Sequence, residues 1–246
     1  MKILVCISKV PDTTAKISFK DNGTKFNEDK VQFIINPYDE WYALVRAIEL
    51  KESNGGTVTV INVGGVENEQ YIRKALALGA DDAVRIDVDP QDAFQTAENI
   101  ANYAKSNSYD LILTGKETID YNGGVVGGFI AAIADLSYVS FASKLEMQGN
   151  KLHIEREIEG VVEIVELEMP CVISAQKGMA EARIPNMRGI LASKTKPLQV
   201  VAANAVSAEV QFVQFTLPPA KESCKMISAE NPEELIDLLH NEAKVI

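Results

Sequence analysis

The sequence predicts a doubly wound α/β fold on a mainly parallel sheet, with an antiparallel hairpin and an extended C-terminal arm. Three observations predict it. Short apolar runs alternate with amphipathic helical stretches over residues 1–136, a pattern typical of right-handed βαβ units. Apolar and charged residues then alternate over 151–168, as in a hairpin with one solvated face. Residues 200–217 are extended and apolar.

The composition supports a buried core and excludes several functions. Hydrophobic residues make up 46% of the 246 residues, and the net charge of −11 argues against binding to nucleic acid or anionic membranes. Cys6, Cys171 and Cys224 are far apart in sequence, which fits a reducing compartment. The apolar start, Met1–Ile7, is too short for a signal peptide, and no run reaches the roughly 18 apolar residues of a membrane span. We therefore expect a soluble, cytoplasmic protein.

The first half of the chain supplies most of the sheet. Buried strands are predicted at 3–7, 57–63, 83–86 and 110–114, and helices at 37–52, 72–78 and 91–105. Asn36 is expected to cap the first helix, with Pro37 at its first position. Lys16–Phe19 and Val31–Ile35 flank Asp21-Asn22-Gly23 and are predicted to pair as a hairpin.

The stretch from Asp110 to Phe129 is the candidate binding loop. An apolar strand ends at Gly115, a polar turn follows, and helical character resumes from Val125 to Leu136. A strand, a glycine-bearing loop and a helix start present free backbone N–H groups to an anion. The loop matches neither the Walker pattern nor Gly-x-Gly-x-x-Gly. Alternatively, its glycines only allow the strand and the helix to pack closely.

The second half has a different texture. Residues 170–174 are predicted as the last strand of the sheet. Residues 176–197 mix basic and apolar side chains without a regular pattern, which is typical of a functional or disordered loop. Asn231 is expected to cap a short C-terminal helix, with Pro232 at its first position. His153 is interpreted as a surface residue and His240 has no nucleophile nearby in sequence, so no metal or catalytic residues are predicted.

Seven segments carry a resemblance to a known family. In chain order they are Lys2–Asp12, Asn36–Glu40, Arg73–Asp81, Gly115–Asp120, Phe141–Ser143, Ile154–Gly160 and Met169–Ser174. Together they resemble the beta subunit of electron transfer flavoproteins over nearly the whole chain. This resemblance implies a Rossmann-like, adenine-nucleotide-binding domain that pairs with an alpha subunit carrying a redox-active FAD. It also implies an AMP, held by the beta subunit at the carboxyl edge of the sheet.

The resemblance places the nucleotide site on the predicted strand ends. The implied cofactor-binding residues are Cys6, Asn36, Pro37, Tyr38, Asp39, Val63, Gly115, Lys116, Thr118, Asp120, Asn122, Gly123, Gly124, Val125, Val126 and Gly127. Tyr38 matches an aromatic position that approaches the flavin ring, whereas Thr13 stands at a second position that is commonly aromatic. The family commonly has polar side chains on the phosphate after Asp120, so here backbone N–H groups and Asn122 would bind it.

The loop 176–197 is similar to the family's recognition loop, which docks an apolar anchor into a dehydrogenase. Met187 stands where leucine is usual and is followed by Arg188 and Ile190. The flexible methionine suits varied partners, although it could instead be tucked under its own loop. We expect residues 1–197 to form the α/β domain, and 198–246 to form an arm and helix that pack on the alpha subunit.

Three functions follow from these expectations. The first is an electron carrier, not an enzyme, that takes electrons from flavin dehydrogenases such as acyl-CoA dehydrogenases and passes them through FAD to a membrane quinone oxidoreductase of the respiratory chain. The second is an electron-bifurcating flavoprotein with a second FAD in place of AMP. In having a valine at position 126, the chain is similar to this branch of the family. The third is a stand-alone adenine-nucleotide-binding module.

Overall fold

The computed structural model describes residues 1–149, 151–221 and 223–246. Strands and helices alternate along these ranges. The strands are β1 (Lys2–Cys6), β2 (Lys9–Pro11), β3 (Phe19–Lys20), β4 (Lys25–Phe26), β5 (Phe33–Ile35), β6 (Thr57–Val63), β7 (Asp82–Asp87), β8 (Leu111–Gly115), β9 (Ser137–Gln148), β10 (Lys151–Ile158), β11 (Val161–Glu168), β12 (Cys171–Ala175) and β13 (Leu198–Ala202). The α-helices are α1 (Asp39–Asn54), α2 (Glu69–Leu78), α3 (Ala93–Asn107), α4 (Val126–Ala134), α5 (Met187–Ser193) and α6 (Pro232–Leu238).

The central sheet confirms the predicted fold class. Its strand order is β11-β10-β9-β12-β8-β1-β6-β7-β13. The strands from β9 to β13 in that order pair in parallel, whereas β10 pairs antiparallel with β9 and β11. The predicted hairpin over 151–168 is therefore part of the main sheet. No helix in the described ranges is both long and apolar enough to cross a membrane.

The two faces of the sheet carry separate cores. Ile3 and Val5 of β1 pack with α1 and α2 on one face. Leu4 and Cys6 of the same strand pack with α3 and α4 on the other face. Alternate side chains of a strand point to opposite faces, and both faces here are covered by helices. This double burial explains why the parallel strands read as continuous apolar runs.

The predicted hairpin between Lys16–Phe19 and Val31–Ile35 is wrong. Strand β5 pairs instead with β2, with Lys9 opposite Ile35. The small strands β3 and β4 pair with each other around the turn Asp21–Gly23. In this turn Asn22 and Gly23 have φ values of 58° and 83°, so the chain reverses within three residues. The strand that was predicted to pair with β5 therefore pairs with β4.

Asn36 does not cap α1, and that prediction is wrong. The helix begins at Asp39, and Tyr38, at the cap position, makes no side-chain cap hydrogen bond. Asn36 is fully buried and its amide bonds elsewhere in the chain. A buried amide is stabilised most where both of its polar atoms find partners, and those partners lie in a distant loop.

The C-terminal third differs from the prediction in three ways. Helix α6 begins at Pro232 as predicted, but Asn231 makes no side-chain cap hydrogen bond there. The strand at Cys171–Ala175 is not the last of the sheet, because β13 adds to the opposite edge with Leu198 beside Ala83 of β7. The loop 176–197 contains the short helix α5, which is capped by the Asn186 side chain accepting from the N–H of Gly189 at 2.8 Å. Residues 198–202 of the predicted arm thus lie in the sheet, and the division of the chain at residue 198 stays a prediction.

Candidate functional site

The candidate site lies at the carboxyl edge, meaning the edge where the parallel strands end. Strands β8, β1 and β6 are neighbours in the sheet. Their last residues are Gly115, Cys6 and Val63, respectively. The structure therefore brings together these three predicted residues, which are far apart in sequence. Ligands of open α/β sheets bind in this position.

Asn36 joins the start of α1 to the β8–α4 loop (residues 116–125). Its Nδ2 donates to the carbonyl of Glu117 at 2.9 Å, and its Oδ1 accepts from the N–H of Ile119 at 3.0 Å. Its own N–H donates to the carbonyl of Ser8 at 3.2 Å. The buried Asn36 thus joins three segments of the edge through its side chain and its backbone N–H.

Two glycines are required by close approach. A Cβ on Gly115 would lie 2.8 Å from Cγ of Glu40 in the first turn of α1. A Cβ on Gly127 would lie 2.7 Å from Oγ1 of Thr114. Both distances are shorter than a packed side chain tolerates. These glycines let the end of β8 pack directly against the starts of α1 and α4.

The start of α4 is a candidate anion site. The helix begins at Val126, and no side chain caps its N-terminus, so the first N–H groups are left without an intrahelical partner. Lys116 and Asn122 lie in the same loop. Backbone N–H groups, one ammonium group and one amide form a donor set that fits a phosphate. AMP, or the phosphate part of FAD, therefore fits the residues present.

Two carboxyl groups near this cradle have raised pKa values. Burial raises the pKa of Asp39 to about 6, against the opposing charge of Lys116. Burial also raises the pKa of Glu40 to about 8, although its carboxylate accepts hydrogen bonds from the Ser8 N–H and hydroxyl at 2.6 and 2.8 Å. A largely neutral Glu40 at pH 7 reduces repulsion of a bound anion.

Cys6 is not a reactive thiol in this site. Its side chain is buried, and that burial, with the nearby Glu40, raises the pKa of the thiol. The thiolate is the reactive form of cysteine. Cys6 therefore packs in the core on one face of the sheet and is poorly suited to act as a nucleophile.

Tyr38 is presented outward from the same edge. Its backbone has a φ of 64°, in the left-handed region, and its side chain is 57% exposed. Its ring centroid lies 6.5 Å from that of Tyr42. A bulky residue on a left-handed backbone is strained, and such residues cluster at ligand sites. Thr13 is also exposed and offers no second ring.

Met187, Arg188 and Ile190 form a separate surface. They lie in α5, which packs on α2, with Gly189 against the carbonyl of Ala77. The Met187 side chain is 72% exposed, so the alternative that it is tucked under its own loop is wrong. The structure does not bring this surface together with the carboxyl-edge residues.

A buried polar group at the end of β6 was missed by the sequence reasoning. Asn62 donates to the carbonyl of Ile7 at 2.9 Å and accepts from Nδ2 of Asn68 at 2.9 Å. Arg85 donates to the carbonyl of Gly64 at 2.9 Å. The sequence signal for this group is an asparagine and an arginine inside β-branched runs. A buried polar residue in a strand needs hydrogen-bond partners, so these two residues indicate a polar network.

Other features lie outside this site. One cavity of about 220 Å³ opens at the opposite, amino edge beside Lys2, Asp82 and Tyr109. Another of about 370 Å³ lies between α2 and α5. No group of three or more His, Cys, Asp or Glu residues suited to a metal ion occurs within the described ranges. His153 lies 3.6 Å from Glu166 on the hairpin surface.

The fold and site define an α/β domain on a mainly parallel sheet, with a candidate anion cradle at the sheet's carboxyl edge. Residues 23–206 match the model of the electron transfer flavoprotein domain. The chain belongs to the electron transfer flavoprotein family, as the seven sequence segments predicted.

The family's beta subunits are the relatives that this chain resembles over its length. The chain is 37% identical to electron transfer flavoprotein subunit beta of Bacillus subtilis, with all of both chains covered. It is 36% identical to the subunit beta of Syntrophomonas wolfei, covering all of this chain and 98% of that one. It is 29% identical to the human subunit beta, covering 96% and 95% of the two chains. The chain is therefore of the beta-subunit type.

Proposed function

We propose that this chain pairs with an electron transfer flavoprotein alpha subunit to form a cytoplasmic electron carrier. The heterodimer takes electrons from flavin dehydrogenases, such as acyl-CoA dehydrogenases, and delivers them to a membrane quinone oxidoreductase of the respiratory chain. The observation that carries the proposal is Tyr38, an exposed ring on a strained backbone beside the anion cradle. Such a ring suits contact with a flavin held by another subunit.

The carboxyl-edge cradle holds AMP in this proposal. The phosphate is bound by the N–H groups at the start of α4, together with Lys116 and Asn122. The nucleoside lies toward Cys6 and Val63, at the ends of β1 and β6. The remaining predicted residues of the loop, Thr118, Asp120, Gly123, Gly124 and Val125, shape the cradle. AMP has a structural role, because it fills the edge between three loops.

The alpha subunit carries the FAD in this proposal. When bound, FAD supplies the redox chemistry of the heterodimer, and the protein sets its surroundings. Tyr38 contributes an aromatic wall and excludes water from one side of the flavin. An electron carrier needs no acid or base from this chain, so the buried thiol of Cys6 and the hydrogen-bonded Glu40 have structural roles.

Two exposed surfaces support a partner subunit. Helix α6 continues directly into a π-helical segment, Leu239–Ala243, and leaves Leu235 and Ile236 exposed. Strand β11 lies at the edge of the sheet with Val162 and Ile164 exposed. Exposed apolar edges of this kind are usually covered, and the alpha subunit covers them here.

The surface of α5 docks the dehydrogenase in this proposal. Met187 and Leu191 are exposed on this short helix, and Arg188 and Lys194 lie beside them in an acidic protein. Apolar anchors surrounded by charge are typical of transient interfaces. Because α5 is separate from the cradle, docking leaves the nucleotide undisturbed.

A bifurcating heterodimer is the second candidate. One observation favours it: Val125 and Val126 stand at the start of α4 and offer the phosphate no side-chain donor. The same N–H groups bind the pyrophosphate of a second FAD as readily as the phosphate of AMP. The number of flavins per heterodimer distinguishes the two candidates.

Co-expression tests the proposed function. The chain is produced with an alpha subunit that carries the affinity tag, and the eluate is examined for this chain and for flavin absorbance. The proposal predicts a yellow complex with equal amounts of the two subunits. A Tyr38→Ala variant should form the complex but shift the flavin spectrum or potential, whereas Tyr38→Phe should resemble the wild type. An eluate that contains the tagged alpha subunit without this chain would refute the proposal.

A further inference from the structure

Residues 203–215, here called the strap, cross the carboxyl edge of their own domain. The strap leaves the sheet after Ala202, which pairs with Asp87 at the end of β7. It ends where the N–H of Phe215 donates to the carbonyl of Gly23 at 2.7 Å. Gly23 lies in the β3–β4 turn, and between Ala202 and this turn the strap contacts Asp92 at the start of α3 and Tyr121 in the β8–α4 loop. The strap therefore spans the edge on which the cradle opens.

Helix α3 anchors the first part of the strap. The N–H of Asn204 donates to Oδ1 of the buried Asn99 at 2.9 Å, and Nε2 of Gln95 donates to the carbonyl of Val206 at 3.0 Å. Oδ2 of Asp92 accepts from the N–H groups of Glu209 and Val210 at 2.6 and 2.9 Å. These bonds supply partners for backbone groups that form no helix or strand.

Asp92 has two functions at this point. Its Oδ1 accepts from the N–H of Gln95 at 2.8 Å and so caps α3. Its Oδ2 holds the strap. The helix start and the strap are therefore fixed to each other through one carboxylate, whose charge strengthens both sets of hydrogen bonds.

A stack of four rings anchors the second part. Phe19 and Phe215 lie 5.2 Å apart at 15°, Phe215 and Phe212 lie 5.4 Å apart at 27°, and Phe212 and Tyr121 lie 5.0 Å apart at 22°. These separations are those of favourable aromatic pairs. Tyr121 belongs to the β8–α4 loop and also lies 6.3 Å from Phe215 at 36°, so two ring pairs join the strap to the candidate phosphate loop.

We propose that the strap closes over the β8–α4 loop and controls exchange of the bound nucleotide. This rests on the proposed function for the identity of the ligand, but the closure itself depends only on contacts within this chain. The nucleotide enters or leaves after Phe212 and Phe215 separate from Tyr121. Phe212 is 48% exposed and Tyr121 is 57% exposed. Because both are already about half exposed, their separation uncovers little additional apolar surface, and local opening costs little free energy.

The proposal also divides the C-terminal arm. Residues 203–215 stay on their own subunit because their hydrogen bonds and rings are satisfied there. Pro218 and Pro219 follow shortly after the end of the strap. The segment that reaches the partner subunit begins after these prolines.

Hydrogen exchange of the heterodimer tests the strap. The variant is Phe212→Ala and the conservative control is Phe212→Tyr. The matched control is Val213→Ala, because Val213 is adjacent to Phe212 in the strap and is 80% exposed. Loss of the ring pair should speed amide exchange on the order of ten-fold, both in 209–215 and in 116–124. The rate of AMP release, measured as exchange of bound AMP for added labelled AMP, should rise by a similar factor. The two controls should behave as the wild type.

The strap proposal is wrong if exchange speeds up in 209–215 while 116–124 is unchanged. If Phe212→Ala does not fold, Asp92→Asn replaces it, since the amide keeps one acceptor for the α3 cap and loses the other for the strap. Coupled exchange of the two segments in that variant supports the proposal, and uncoupled exchange overturns it. A heterodimer that contains no nucleotide would refute the AMP assignment alone, because the exchange of 116–124 still decides the strap.

Discussion

Oδ1 of Asn36 accepts a hydrogen bond from the N–H of Ile119 at 3.0 Å, although the residues are 83 positions apart in sequence. The other end of the same buried amide donates to Glu117. The β8–α4 loop is therefore held against the start of α1 before any ligand binds. A cradle organised in this way loses less conformational freedom on binding.

Removal of this amide should loosen the loop. Asn36→Ala leaves the N–H of Ile119 and the carbonyl of Glu117 without their partner, and we expect a loss of about 2–3 kcal/mol in the free energy of unfolding. Urea unfolding measures this loss. Asn27→Ala is the control, since its side chain bonds Ser18 and Asp29 in a more exposed turn, and it should cost less than about 1 kcal/mol. Equal free energies of unfolding for Asn36→Ala and wild type would contradict the proposed role of the Asn36 amide in holding the loop.

Glu40 should give the subunit a distinct pH dependence. Burial raises its pKa from 4.5 to about 8 in the folded chain. Between these values the folded state binds more protons than the unfolded state, so the free energy of unfolding falls as pH rises through this window. The fall amounts to about 1.4 kcal/mol for each pH unit between the two pKa values, and it ends above the folded pKa. Glu40→Gln cannot titrate and should remove this contribution, leaving only the smaller fall that the raised pKa of Asp39 gives below about pH 6. Parallel pH curves for the two proteins would disprove the raised pKa.

The hydroxyl of Thr114 should be dispensable for folding. Its Oγ1 is buried and has no hydrogen-bond partner among the described residues. Replacement by the isosteric valine removes an unsatisfied polar atom, so Thr114→Val should be neutral or stabilising by about 1 kcal/mol. Thermal or urea unfolding measures the effect.

Ser174→Ala is the contrasting variant in the neighbouring strand. Oγ of Ser174 accepts from the Tyr138 hydroxyl at 3.1 Å and from the N–H of Phe141 at 3.2 Å. Its loss should destabilise the chain by about 1–3 kcal/mol. A large loss from Thr114→Val, matching that of Ser174→Ala, would show that the Thr114 hydroxyl has a partner such as an ordered water.

Met187 should matter for electron transfer and not for flavin binding. Met187→Ala removes an exposed apolar anchor from α5, and we expect kcat/KM for reduction by an acyl-CoA dehydrogenase to fall about ten-fold. The FAD content of the heterodimer should stay at the wild-type level, because α5 is separate from the cradle. Ile17→Ala, another exposed apolar residue, is the control. Loss of flavin from Met187→Ala would refute its assignment as the docking anchor.

Deletion of residues 218–246 should abolish pairing but not folding. Strand β13 and the strap lie before this cut and make the contacts with the domain. The shortened chain should keep its unfolding midpoint and fail to co-purify with the alpha subunit. Co-purification at the wild-type level would show that the segment beyond the prolines is not needed for the interface.

Elements bounded by local signals were predicted closely. The strand Thr57–Val63 was predicted to the residue, because its β-branched run lies between two glycine pairs. Helix α2 ends at Leu78 before Gly79, whose φ of 141° suits glycine. The alternation over 151–168 likewise predicted β10 and β11. In each case the neighbouring residues determine the element.

Features that depend on distant partners were not predicted. Asn36 has the right residue type for a helix cap, but its amide is satisfied 81 and 83 positions away. Strand β13 is short, and only the open edge of β7 decides its place. Tyr38 gave no sign of its left-handed backbone, since that conformation is imposed by the surrounding fold. The strap was read as part of a partner-binding arm because its contacts with Asp92 and Tyr121 are long-range.

The nucleotide content of the purified heterodimer tests the central claim most directly. The complex is denatured, and the released nucleotides are separated by liquid chromatography and identified by mass. We predict one FAD and one AMP per heterodimer, with AMP bound through the N–H groups at the start of α4. Two FADs and no AMP would contradict this prediction and would assign the chain to an electron-bifurcating flavoprotein.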